Sequence, residues 1–153
     1  PRLYKSRAAF YRVQKHYDLA IKDYETLIES EPLNINNYPL LANLYVEMKD
    51  FDSAAKTYTR AIDANPKSSD AYYRRGNFYK DQKQYDLANA DYQKIIEIEP
   101  NKPGLYDILA KSYIDQEKKD FALKTYNSAI EKFPQAALAY NQRGDFYYNN
   151  QQY

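Results

Sequence analysis

The sequence predicts an all-α fold, a solenoid of antiparallel helix pairs, and three observations predict it. Four of the seven prolines, Pro32, Pro66, Pro100 and Pro134, stand 34 residues apart. Fourteen of the 19 tyrosines keep the same interval: Tyr4, Tyr38, Tyr72, Tyr106 and Tyr140, then Tyr11, Tyr45, Tyr79, Tyr113 and Tyr147, then Tyr24, Tyr58, Tyr92 and Tyr126. Small residues keep it too, as Ala8, Ala42, Gly76, Ala110 and Gly144 and as Ala20, Ala54, Ala88 and Ala122. Self-similarity at a fixed spacing of this length marks a stack of supersecondary units, each burying its apolar face against the next. The period gives one repeat domain over 1–153: four full repeats, 1–34, 35–68, 69–102 and 103–136, and the first helix of a fifth, 137–153.

Each repeat reads as two helices. In the first, Tyr72, Gly76 and Tyr79 lie four and three apart and share one helix face. In the second, Ala88, Tyr92, Ile95 and Ile96 mark another face at the same spacing. Pro100 ends that helix, because an interior proline loses a hydrogen bond and clashes with the preceding turn. Asp18, Asp52, Asp86 and Asp120 recur where second helices begin, and the expectation is that they cap free N–H groups and complement the helix dipole. A Gly or Ala at the eighth and twentieth places lets paired helices approach closely, with tyrosines filling the space around them. Tyr17, Tyr85 and Tyr153 share a further repeat place, whereas Lys119 stands where an aromatic residue opens the other second helices and Phe121 follows two residues later. A locally shifted turn is expected there. Odd-numbered repeats share Arg7-Ala8, Arg75-Gly76 and Arg143-Gly144 with Phe10, Phe78 and Phe146, while the even ones carry Leu41-Ala42 and Leu109-Ala110, which points to a 68-residue duplication.

Composition narrows the function. Twenty-two Lys and Arg against 21 Asp and Glu leave a net charge of +1, without the basic excess that nucleic-acid binding or a polybasic membrane anchor requires. There is no cysteine, which excludes disulfides, thiolate nucleophiles and cysteine-based zinc sites and leaves the compartment open. No apolar run approaches the roughly 18 residues of a membrane span, and Pro1-Arg2-Leu3-Tyr4 is not a signal peptide. The mean hydropathy of -0.90 is that of a polar chain, yet 16% aromatic residues argue for amphipathic helices with aromatic buried faces.

The run Ala71-Tyr72-Tyr73-Arg74-Arg75-Gly76-Asn77-Phe78-Tyr79, followed by Tyr85-Asp86-Leu87-Ala88, Tyr92 and Pro100, resembles a tetratricopeptide repeat of the Tyr/Arg-Gly type. The resemblance covers the whole chain. It implies a right-handed superhelix and a non-catalytic scaffold that binds another protein or peptide in a concave groove, with no cofactor and no metal.

That groove is expected along the fifth, ninth and twelfth places of the first helices, a stripe beside the packing face. The fifth place holds Lys5, Pro39, Tyr73, Asp107 and Asn141. The ninth holds Ala9, Asn43, Asn77, Lys111 and Asp145, and the twelfth Arg12, Val46, Lys80, Ile114 and Tyr148. Asn43 and Asn77 carry both donor and acceptor and suit the backbone of an extended peptide. Tyr73 and Tyr148 fall at none of the shared tyrosine places and offer flat amphipathic surfaces. Lys5, Arg12, Arg74, Lys80 and Lys111 supply positive charge for a carboxylate or an acidic segment. The carboxylate clamp that the family uses for chaperone C-termini is not reproduced, since its five places hold Lys5, Ala9, Leu40, Asp70 and Arg74 and two of the five match.

Catalytic chemistry finds no footing. His16, the one histidine, sits in an inter-helix turn, and no phosphate loop, nucleophile elbow or metal-ligand spacing occurs. Glu25, Glu29 and Glu31 are expected as solvated residues of second-helix outer faces. Two further readings stay open: an array that self-associates through its ends, and the docking arm of a larger enzyme. The last segment carries Tyr140, Arg143, Gly144 and Tyr147 and stops at Tyr153, so a fragment of a longer protein is expected, with ends able to stack on neighbouring copies.

Overall fold

The computed structural model describes residues 2–150. Among them are nine helices and no strand: α1 (Arg2–Val13), α2 (Tyr17–Ser30), α3 (Tyr38–Glu47), α4 (Phe51–Ala64), α5 (Ser69–Asp81), α6 (Tyr85–Ile98), α7 (Gly104–Asp115), α8 (Lys119–Lys132) and α9 (Ala137–Asn149). The fold is an all-α helical repeat. Tyr153 lies outside the described residues. The chain forms two compact units, Pro1–Arg75 and Gly76–Tyr153, which meet within α5 and are described separately.

The first helices α1, α3, α5 and α7 end in the same tight turn. Lys15, Lys49, Lys83 and Glu117 have φ of 58°, 61°, 58° and 60°, in the left-handed region. The next N–H donates back across the turn: His16 to the Tyr11 carbonyl at 2.9 Å, Asp50 to Tyr45 at 2.8 Å, Gln84 to Tyr79 at 2.8 Å and Lys118 to Tyr113 at 2.9 Å. This Schellman arrangement satisfies carbonyls that a helix end would otherwise leave open. Glycine favours such a position, yet this chain uses long charged residues there, so the turn cannot be seen from glycine content.

The turn before α8 is therefore not shifted. Lys119 opens α8 in the same register as Tyr17, Phe51 and Tyr85 open theirs. Phe121 follows the chemistry of Leu19 and Leu87 at its place, more than a third exposed like them, and its ring lies 5.4 Å from that of Tyr113.

The recurrent aspartates do not act as caps. The N-cap residues are His16, Asp50, Gln84 and Lys118, and of these only Asp50 accepts a capping bond, from the Ser53 N–H at 3.1 Å. Asp18, Asp52, Asp86 and Asp120 sit one residue inside the helix, where their charge complements the N-terminal dipole. At the other end the proline rule holds. Glu31, Asn65, Glu99 and Phe133 each precede a proline and leave helical geometry, with φ between -122° and -145°.

The second repeat starts its first helix late, at Tyr38. Asn34 and Asn37 both donate side-chain N–H bonds to Glu31 Oε2, at 3.0 and 3.1 Å, and the Asn36 N–H donates to Asn34 Oδ1 at 3.3 Å. Asparagine side chains thus compete with the helix for the backbone. Pro39 then falls in the first turn of α3, where its missing N–H costs nothing.

In the first unit, Ala8, Ala20, Tyr24, Leu27, Ile28, Leu41 and Leu44 join one core, with Tyr4, Tyr11 and Tyr45 packed against it. In the second, Ala110, Ala122, Tyr126 and Phe146 do the same, with Tyr113 and Tyr147 alongside. The small residues stand where expected: Ala8, Ala20, Ala42, Ala54, Ala88, Ala110 and Ala122 are all 0% exposed.

Two glycines on the same repeat place separate packing from propensity. A Cβ on Gly76 would lie 2.7 Å from Tyr92 Cε1 and 3.3 Å from Asp91 Cβ, whereas one on Gly144 meets nothing within 4 Å. Gly144→Ala is expected to stabilise the chain by about 0.5–1 kcal/mol through helix propensity. Gly76→Ala is expected to destabilise it by about 1 kcal/mol, because the strain in a filled contact exceeds that gain. Opposite shifts in urea midpoint check the pair.

Candidate functional site

The face expected to meet a partner is built from first helices. In the first compact unit Lys5, Arg12, Asn43 and Tyr73 are exposed and Arg74 is half-buried. Tyr73 is 40% exposed although its neighbours in sequence, Tyr72 and Ala71, turn into the core. In the second unit Lys111 and Tyr148 are exposed, Asn77 and Lys80 half-buried. Pro39 departs from the expected stripe, because it is buried at the start of α3.

Asn43 and Asn77 face two ways. Tyr58 on α4 donates its hydroxyl to Asn43 Oδ1 at 3.1 Å, and Tyr92 on α6 donates to Asn77 Oδ1 at 2.8 Å. Tyr126 on α8 repeats the motif, donating to Asp107 Oδ1 at 2.9 Å. These three tyrosines share one repeat place and are 7%, 2% and 2% exposed, so each needs a partner for its hydroxyl. At Asn43 and Asn77 the amide oxygen supplies it, and the amide N–H groups take no part in that bond. Burial first, and the Asp107 carboxylate second, push the Tyr126 phenol well above its ordinary range. The tyrosine pattern gave packing as the role of these rings; that each hydroxyl reaches the first-helix face was not legible. The available signal was the polar residue at the ninth or fifth place of the repeats that follow this pattern.

The cations of the face are bound internally. Arg12 Nε donates to Glu47 Oε2 at 2.6 Å, and Lys80 Nζ to Asp115 Oδ2 at 3.2 Å, both across 35 residues of sequence. Arg74 donates to Asp70 Oδ2 at 2.7 Å and to Asn36 Oδ1 at 3.1 Å. Lys111 pairs with Asp107 at 2.6 Å. Hydrogen bonding to Glu47 raises the Arg12 pKa further. Lys5 has no ion pair among the described residues. Each carboxylate that holds a cation removes most of the attraction that cation would offer a bound anion, so the face is close to neutral.

Carboxylates on the second helices are also engaged. Glu25 takes a two-pronged bond from Arg60 at 2.8 and 2.7 Å, and Glu31 holds the asparagine turn, which keeps its carboxyl below the usual range. Glu25 and Glu31 are therefore structural rather than merely solvated, while Glu29 is exposed. His16 is exposed at the α1–α2 turn beside Lys15, Tyr17 and Met48, in a shallow open hollow. Among the described residues no group of three or more His, Cys, Asp or Glu could hold a metal ion, and no helix is long and apolar enough to cross a membrane.

The tetratricopeptide repeat family matches residues 40–103 and 109–153, more than half of the sequence. The chain belongs to the tetratricopeptide repeat family. Tetratricopeptide repeat proteins are generally non-catalytic scaffolds for protein–protein interaction, and the present chain has their helical-repeat fold. Solved structures agree in fold. A crystal structure of MamA is 21% identical with a TM-score of 0.60, covering 95% of this chain and 85% of that one. A thermophilic tetratricopeptide protein of Thermus thermophilus is 21% identical with a TM-score of 0.60, covering 91% of this chain and 77% of that one. A tetratricopeptide repeat protein from Parabacteroides merdae is 23% identical with a TM-score of 0.62, covering 99% of this chain but 59% of its own length. No curated protein sequence matches the chain.

Proposed function

We propose that this tetratricopeptide chain is a non-catalytic scaffold whose compact units each hold a segment of a partner protein along the exposed face of their first helices. The observation that carries the reading is the pair Tyr58–Asn43 and Tyr92–Asn77. A hydrogen bond from the core fixes each asparagine side chain and so preorganises its amide donors for a partner's backbone carbonyls. Tyr73 and Tyr148, at 40% and 68% exposed, add aromatic contact area of the kind that dominates protein interfaces. Because Arg12, Arg74, Lys80 and Lys111 have carboxylate partners of their own, recognition rests on hydrogen bonds and aromatic contact more than on net charge. A polar, near-neutral extended segment fits this face better than a chain terminus rich in acid.

The test keeps the core intact. Alanine at Asn43 or Asn77 would remove the acceptor that a buried tyrosine hydroxyl uses, so the informative change is Asn43→Asp with Asn77→Asp and Tyr73→Ala. Aspartate preserves the acceptor, as Asp107 does for Tyr126, and removes the donors. Partners captured on the wild-type chain are expected to bind this triple variant about tenfold or more weakly, with helicity unchanged and little salt dependence in either case. Equal affinity for the two proteins, measured by calorimetry, would exclude the first-helix face.

A further inference from the structure

The packing of a second helix on the following first helix changes chemistry at one place in the chain. In the first unit Ile21 of α2 packs against a core that holds Leu44 of α3. In the second unit Leu123 of α8 packs against a core that holds Phe146 of α9. Asn89 on α6 and Ser112 on α7 hold the same two repeat places, one period before Leu123 and Phe146. α6 packs on α7, and Asn89 and Ser112 are 6% and 0% exposed. A third exchange follows one turn further along α7, where Gln116 stands 68 residues after Met48. The apolar set Ile21, Leu44 and Met48 of the first unit is thus Asn89, Ser112 and Gln116 in the second.

Burying polar groups is costly unless each finds a hydrogen-bond partner. Among the described residues four buried side-chain oxygens have no such partner within the protein: Asn89 Oδ1, Ser112 Oγ, Gln116 Oε1 and Gln142 Oε1. The first three are the exchanged set. Gln116 Nε2 donates to the Ser112 carbonyl at 2.9 Å, which ties the side chain back along α7 and leaves its oxygen unused. The amide oxygens of Asn89 and Gln116 only accept, whereas the Ser112 hydroxyl can donate. Two acceptors and one donor are the complement of a water molecule, which has two protons to give and a lone pair to receive. Buried water in proteins makes about three hydrogen bonds of this kind.

Size and access favour the same guest. Serine is smaller than the leucine or phenylalanine of its repeat place, and a water takes up only about 30 Å³. Gln116 also lines a hollow of about 440 Å³ at the turn end of the α6–α7 seam, together with Tyr85, Asp86 and Lys118. The matching hollow of the first unit, beside Tyr17 and Asp18, has Met48 in place of Gln116. Only the hollow of the second unit therefore leads to polar groups beneath it.

We propose that the α6–α7 seam is an internal hydration site. One ordered water donates to Asn89 Oδ1 and Gln116 Oε1, accepts from Ser112 Oγ, and exchanges with solvent through the hollow. The site goes beyond the partner-binding reading and shares no residue with it. A high-resolution crystal structure of the whole chain is expected to place a water within hydrogen-bond distance of all three oxygens. In solution, nuclear Overhauser contacts from a long-lived water to the carbon-bound protons of Asn89 and Gln116 are expected. The variant Asn89→Ile/Ser112→Leu/Gln116→Met copies the first unit and is expected to lose the water. Ser112→Ala removes only the donor, and is expected to keep the helical circular dichroism of the wild type while weakening the water contacts. A direct bond from the Ser112 hydroxyl to Asn89 with no water between them overturns the proposal. So does an unchanged water contact in either variant, or a group other than water on these three oxygens.

Discussion

Tyr92→Ala is expected to destabilise the protein by about 3–5 kcal/mol, the range for deleting a buried aromatic side chain. The ring is 2% exposed, lies against Gly76 where no Cβ would fit, and is anchored at its far end by Asn77 Oδ1 at 2.8 Å. Removing it opens a cavity along the backbone of α5 that neighbouring groups cannot fill, because the ring is held at both ends. Tyr92→Phe isolates the hydroxyl. It keeps the ring and breaks one bond to a half-buried amide that can turn to water, so about 1 kcal/mol is expected. Urea unfolding of both variants checks the split, and a Phe variant as unstable as the Ala variant would show that the hydrogen bond, not the packing, dominates.

Ala54→Leu is expected to cost about 3 kcal/mol, at the upper end of what overpacking costs. Ala54 is 0% exposed on α4, as is Ala42 on α3, and the two helices pack directly on each other. Three added carbons have no space unless the helices separate, which would also draw Tyr58 away from Asn43. A control at Ala9, an exposed place on α1, is expected to accept leucine with less than about 0.5 kcal/mol of change. Thermal melts of both variants test this.

The fold was legible because it is written in backbone rules repeated at one interval. Pro32, Pro66, Pro100 and Pro134 end helices by excluding a hydrogen bond, and Ala20, Ala54, Ala88 and Ala122 mark contacts where nothing larger fits. The turns at Lys15, Lys49, Lys83 and Glu117 were harder to read, because the left-handed geometry was imposed by the paired helices rather than invited by glycine. The capping expectation failed by two residues: the helix end is closed at His16 and its equivalents, and Asp18 and its equivalents lie inside the first turn, where a carboxylate can act on the dipole but does not cap the end. On the candidate face, exposure of Lys5, Asn43, Tyr73 and Tyr148 followed from helix geometry. What occupies their functional groups did not. Arg12–Glu47 and Lys80–Asp115 join residues 35 apart, and only the stacking of successive first helices brings them together. The two cations are themselves 68 residues apart, so the two-repeat duplication held the clue in its recurring acid one residue past the period.

The bond between a core phenol and a surface amide gives the molecule a built-in optical gauge. Tyrosine dominates its near-ultraviolet absorbance, since it has no Trp, and Tyr58 and Tyr92 each sit one hydrogen bond from the outer face. When a visitor draws on the Asn43 or Asn77 amide, the polarised oxygen pulls harder on the phenolic proton behind it. Binding of the proposed partner segment to these amides is therefore expected to shift the absorbance of a ring that the segment does not touch.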